Sequence, residues 1–93
     1  MNLTIKQTNL FKKRIKKLPA QQKIELDNAV KTIVKNPYIG DLKKGDLSFL
    51  RVYKFQINKQ LMLLGYNYEK HQGILTLLQL GSHENFYREA KRI

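Results

Sequence analysis

The chain contains no cysteine, which removes disulfide bridges, thiolate nucleophiles and cysteine-ligated zinc together. It has no apolar run of about 18 residues, the length a helix needs to span a bilayer. Its first residues, Met1 to Lys6, lack the long apolar region of a secretory signal. These absences predict a cytoplasmic protein with no membrane partner. Glycine-rich phosphate loops, clusters of metal ligands and a Ser-His-Asp order are all missing, so neither a cofactor nor a metal is expected. No linker or internal repeat divides the 93 residues, which make one small domain, residues 1–93.

Acidic residues are scarce as well. Seven Asp and Glu face 18 Lys and Arg, a formal net charge of +11. Such a surface attracts polyanions and releases their counterions on binding. Nucleic acid is the leading partner class and an acidic protein the second. The plain alternative is a solvated lysine coat that serves solubility.

What is present reads as a β-α-α-β-β-β-α chain. Leu3 to Ile5 form an opening strand. Leu10, Phe11, Ile15 and Leu18 recur at helical spacing, with Lys12, Lys13, Arg14, Lys16 and Lys17 on the other side. Thr8 or Asn9 caps that helix. Leu18-Pro19 ends it, and Pro19 opens a second helix whose apolar stripe is Ile24, Ala29, Val30, Ile33 and Val34. Asn36-Pro37 stops the second helix, and Gly40 and Gly45 punctuate the turns that follow. Phe49 to Ile57 alternate as a strand, Asn58-Lys59 suits a hairpin turn, and Leu61 to Tyr68 and Ile74 to Leu80 are two more strands. The last of these is apolar on both faces, as an internal strand is. Ser82 caps a closing helix, with Arg88, Lys91 and Arg92 near its negative end. The fold class is α+β: an antiparallel-rich sheet with a two-helix hairpin packed on one face.

The candidate chemistry gathers at the last strand-to-helix junction. His83 and Tyr87 lie four residues apart and share one helical face. An imidazole exchanges protons near neutral pH, so His83 is a candidate general acid or base; the alternative is a capping or packing histidine. Tyr87 either stacks on a base and orients a phosphate or anchors the helix. Phe86 reads as core. Arg51 shares a strand face with Phe49, Tyr53 and Phe55, where a guanidinium is unexpected unless the face opens into a groove. Its fork suits a phosphate, and it is expected to stand across a cleft from His83. Otherwise its stem lies along the sheet and its head reaches water. Tyr53 is a candidate for base stacking. Lys54 points to the opposite strand face unless a bulge intervenes. Lys12, Lys13, Lys16 and Lys17 are expected to track a phosphate backbone, with Arg88 as a further RNA contact. His71 sits in a turn and reads as solvated. Acid–base chemistry on RNA needs no metal, because the ribose 2′-hydroxyl is an internal nucleophile.

With these residues in view, the chain resembles the RelE/ParE family of toxins from bacterial type II toxin–antitoxin systems. The resemblance covers nearly the whole length and is most specific over Leu80-Gly81-Ser82-His83-Glu84-Asn85-Phe86-Tyr87, which is similar to the Gly-Ser-His segment of the YafQ-like branch. His83 and Tyr87 match two active-site places there. Leu50-Arg51-Val52-Tyr53 resembles the strand that directs Lys or Arg at RNA. The resemblance implies a ribosome-dependent mRNA endoribonuclease that enters the 30S A site and cuts by 2′-hydroxyl attack on the adjacent phosphate. It also implies a cognate antitoxin partner. In it His83 moves a proton, Arg51 stabilises the transition state and Tyr87 orients the substrate. Several members carry an arginine at the start of the third strand, where Gln60-Leu61-Met62-Leu63 supplies none, and the mid-strand histidines of some YafQ-like members are absent. The ParE branch keeps the fold without the nuclease residues and poisons DNA gyrase, which is the alternative function. A non-catalytic nucleic-acid-binding module is the third.

Overall fold

Thr8 shows how local chemistry and tertiary contact begin the fold together. Its hydroxyl accepts from the Phe11 N–H at 3.1 Å and donates to the Leu78 carbonyl at 2.9 Å. One side chain thus caps a helix and ties it to a distant strand. The structure is a computed structural model that describes residues 3–90. Lys91 and Arg92, expected near the end of the closing helix, lie outside the described residues. The elements are β1 (Thr4–Gln7), α1 (Asn9–Lys16), α2 (Ala20–Lys35), β2 (Asp41–Leu42), a 3₁₀ turn (Gly45–Leu47), β3 (Arg51–Ile57), β4 (Gln60–Glu69), β5 (Ile74–Ser82) and α3 (His83–Ala90).

The strands form a single sheet in the order β1-β5-β4-β3-β2. Only the β1–β5 pairing is parallel. The β3–β4 hairpin turns at Asn58 and Lys59, both at positive φ (51° and 65°), the backbone of a tight two-residue turn. The Asn58 N–H donates to Glu25 Oε2 at 2.8 Å, which fixes the hairpin end against α2. Along the outer side of β3, β2 covers only Arg51 and Val52.

The two faces carry separate cores. Between the sheet and the α1–α2 pair lie Phe11, Leu26, Ala29, Ile33, Ile57, Leu64, Tyr66, Leu75, Leu77 and Leu80, all buried. Between the sheet and α3 lie Leu50, Val52, Leu63, Leu78 and Phe86, with Tyr87 and Leu47 packed at the margin. A bulge in β5 helps build the second core. Between Gly65 and Tyr66 on β4 the partner shifts from Gln79 to Leu77, so Leu78 is the extra residue. It joins the α3 core, although plain alternation from Leu80 assigns it to the other face. Gly65 is required beneath α3, because a Cβ there would come within 2.7 Å of Phe86 Cζ and 3.0 Å of Leu50 Cδ1.

The expected α+β arrangement with a helical hairpin on one face is present. Two details differ. The stripe of α2 runs through Leu26, Ala29 and Ile33, and Ile24 is 53% exposed, because a residue two before Leu26 points about 200° away around the helix. The short β2 and the 3₁₀ turn interrupt the segment expected to hold turns alone.

Candidate active site

The end of β5 sets the position of His83. Ser82 pairs with Met62 on β4 and is the last residue of the strand; His83 begins α3 and is exposed. One helical turn later, Tyr87 presents its ring to the imidazole edge-on, with centroids 5.9 Å apart. Tyr87 also meets Phe86 edge-on at 5.1 Å, and Phe86 is fully buried against the sheet. The buried phenylalanine therefore braces the tyrosine, and the tyrosine flanks the histidine.

Two lysines join this face. Lys43 reaches over the Tyr87 ring, its Nζ 5.6 Å from the centroid, a cation–π distance. Its backbone N–H donates to the Leu50 carbonyl at 2.9 Å, which moors the segment after β2. Lys54 is exposed on β3, on the same strand face as Val52 of the α3 core. Across the sheet Lys54 stands beside Leu63, and Leu63 beside Gly81. The next row is Gln56 and Leu61, and Leu61 is 44% exposed. An open strip results, with His83 and Tyr87 along one border, Lys54 and Gln56 along the other, and Leu61 on its floor. Lys43 and Leu61 were not foreseen. Lys43 lies 44 positions from Tyr87, and no local pattern announces such a contact.

Arg51 is not part of this strip. Strand alternation puts it with Tyr53 and Phe55, which pack on the hairpin core. It pairs with Tyr66, four residues along β4 from the Met62 that faces Ser82, a separation of about 13 Å at about 3.3 Å per residue. The expected guanidinium–imidazole pair is therefore split by face and by length of sheet. Arg51 Nη1 donates to the Gly40 carbonyl at 3.0 Å and the Tyr38 carbonyl at 3.4 Å, and its guanidinium lies 5.1 Å from the Tyr38 ring centroid. Beside it, the buried Tyr66 hydroxyl donates to the Pro37 carbonyl at 2.8 Å and accepts from the Gly40 N–H at 2.9 Å. A Cβ on Gly40 would come within 2.8 Å of the Tyr66 ring and hydroxyl. Burial raises the Tyr66 phenol above its ordinary pKa, while the Gly40 N–H and the Arg51 charge pull it down. These groups staple the segment between α2 and β2 to the sheet.

The remaining candidates divide between the faces. Tyr53 stacks on Phe55 at 6.1 Å and 10°, beside a cavity of about 270 Å³ against α2. Lys12, Lys13, Lys16 and Lys17 are exposed along and just beyond α1. Arg88 and His71 are exposed. Among the described residues no group of three or more His, Asp and Glu side chains could hold a metal ion, and no helix is long and apolar enough to cross a membrane.

Comparison with known proteins bears on this geometry. Residues 5–91 match the family described as ParE-like toxin of type II bacterial toxin–antitoxin system. Among solved structures, a doubly substituted Escherichia coli RelE toxin in the free state superposes with a TM-score of 0.76 at 20% identity, covering 100% of this chain and 99% of that one. The intact E. coli RelBE toxin–antitoxin complex contains a similar chain, with a TM-score of 0.69 at 15% identity over 87% of this chain and 96% of that one. A conserved hypothetical protein from Helicobacter pylori gives 0.57 at 23% identity, over 91% and 99%. No curated protein matches the sequence significantly.

Proposed function

The chain belongs to the ParE-like toxins of type II bacterial toxin–antitoxin systems, and from that footing we propose that it is a ribosome-dependent mRNA endoribonuclease. One observation carries the reading: an exposed imidazole is flanked by Tyr87 on the same sheet face as Lys54 and Lys43. Acid–base and cationic groups together serve metal-independent cleavage of RNA. The ribose 2′-oxygen attacks the adjacent phosphorus, the bond from phosphorus to the 5′-oxygen breaks, and a 2′,3′-cyclic phosphate remains. The 2′-hydroxyl loses a proton and the departing 5′-oxygen gains one. His83 carries one of these two transfers. Lys54 and Lys43 offset charge on the phosphorane-like transition state, and Tyr87 orients or stacks the nucleotide. In this reading Arg51 has a structural role.

Substrate mRNA is presented in the ribosomal A site, in the cytoplasm. A cognate antitoxin with an acidic or amphipathic segment covers the cationic strip when the toxin is silent. The test is primer extension on translated mRNA after induction. Cuts within codons that vanish in His83→Ala support the reading, no cuts with the unsubstituted chain overturn it, and cuts that persist in the variant overturn the role given to His83. A second reading, inhibition of DNA gyrase without nuclease activity, is favoured by the ParE-like character of the family match and by the apolar Leu61 on the strip's floor. A supercoiling assay separates the two, since only the second reading predicts loss of gyrase activity in the absence of ribosomes.

A further inference from the structure

On the hairpin side of the β5 terminus lies a cavity of about 200 Å³ that the strip does not use. It is lined by Leu18, Met62, Leu80, Gly81 and Ser82, together with Arg14 and Lys17 from the end of α1. The volume is below the roughly 300–1,000 Å³ of a drug-sized pocket, so the occupant is a small fragment. Apolar walls beneath two cationic side chains suit a group with a flat ring and an anionic tail. A thioether such as that of Met62 makes favourable contacts with aromatic rings, and guanidinium and ammonium groups hold phosphates.

Position supplies the second argument. Ser82 borders the cavity, and the next residue is His83. A polynucleotide crossing the end of β5 would therefore meet His83 on one side and the cavity on the other. We propose that this cavity is a base-binding subsite. It receives the base of the nucleotide next to the scissile phosphate, while Arg14 and Lys17 hold that nucleotide's phosphate. The inference rests on the ribonuclease reading and deepens it, because it moves substrate recognition onto the far side of the strand end. It also gives the basic end of α1 a defined ligand in place of a diffuse electrostatic role.

The experiment uses the full chain and an RNA trinucleotide made uncleavable by a 2′-deoxy sugar at the attacking position. The sequence holds two methionines, so methyl labelling of methionine gives one signal for Met62 beside that of Met1. The expected result is a saturable shift of the Met62 methyl, together with a shift of the Tyr87 ring signals. In an Arg14→Gln/Lys17→Gln variant the affinity falls, and the dependence of log affinity on log salt flattens by about 0.7, the value for one single-strand phosphate. If Tyr87 shifts and Met62 does not, the subsite is overturned and the ribonuclease reading stands. If the trinucleotide moves neither signal, the subsite is overturned, and primer extension on translated mRNA decides the ribonuclease reading separately. A Met62 signal that responds to bound antitoxin and not to RNA makes the cavity a protein anchor, which also overturns the proposal.

Discussion

The two faces of the sheet differ in how they are covered. On the hairpin face two helices and the sheet bury ten residues between them, and two polar side chains of the sheet are spent on structure: Arg51 and Tyr66 hold the carbonyls of Tyr38, Gly40 and Pro37. On the α3 face one eight-residue helix contributes Phe86 and covers four other buried residues, and His83 and Lys54 remain exposed. Thin cover leaves the polar groups of the sheet available to a ligand, whereas thick cover commits them to the fold. Regions with little packing open most readily, and the candidate chemistry lies in such a region.

The contrast can be broken most directly at the two chemical candidates. His83→Ala is expected to lower mRNA cleavage by about 10²–10⁴-fold, the usual contribution of a positioned acid or base, while the thermal midpoint stays put. Arg51→Ala should do the reverse: cleavage survives and stability falls by about 1 kcal/mol for lost hydrogen bonds. Exchange of those two outcomes between the variants would mean that the active face has been misassigned.

Phe86→Ala tests the cover itself. It should cost about 3–5 kcal/mol, read by chemical denaturation, and hydrogen exchange should show α3 opening while β4 stays protected. Equal loss of protection in both elements would make the two faces one cooperative unit. Tyr66→Phe probes the stapled side at about 1–3 kcal/mol, because it leaves the Gly40 N–H and Pro37 carbonyl without their partner. Its pH dependence has a definite sign. The folded phenol titrates above its unfolded value, so the folded state binds more protons in alkali, and the contribution of Tyr66 to stability is constant below pH of about 10 and falls above it. The alkaline fall should be smaller in Tyr66→Phe; an unchanged pH profile would remove Tyr66 as its source. The smallest effect is expected at Lys54→Ala, which should weaken RNA binding and flatten its salt slope by about 0.7. Lys31→Ala on α2 serves as the hairpin-face control, and equal slopes for the two variants would erase the distinction.

Local signals made much of the fold legible. Pro19 and Asn36-Pro37 bounded the helices, period-two alternation sorted β3 into its two faces, and Asn58-Lys59 marked the turn. The alternation even assigned Arg51 and Lys54 to opposite sides. It did not reveal which side α3 would occupy, since that depends on strand order and on the route of the chain beyond Ser82. The wrong partner for His83 follows from that single missing fact. The two-residue β2 has no periodicity to read. The Leu78 bulge hides in an apolar run that looks uniform. The Lys43–Tyr87 contact exists only after β2 has paired with β3.

The partial cover of β3 has a consequence for Lys54 beyond RNA. From Tyr53 to Ile57 the outward amides and carbonyls have no neighbouring strand among the described residues, so a second molecule meeting that border would find a template for sheet growth. A protruding ammonium in the middle of it keeps identical molecules apart by mutual repulsion. The same side chain thus acts as a gatekeeper against self-assembly, and neutralising it trades colloidal stability for a cleaner reading of nucleic-acid affinity.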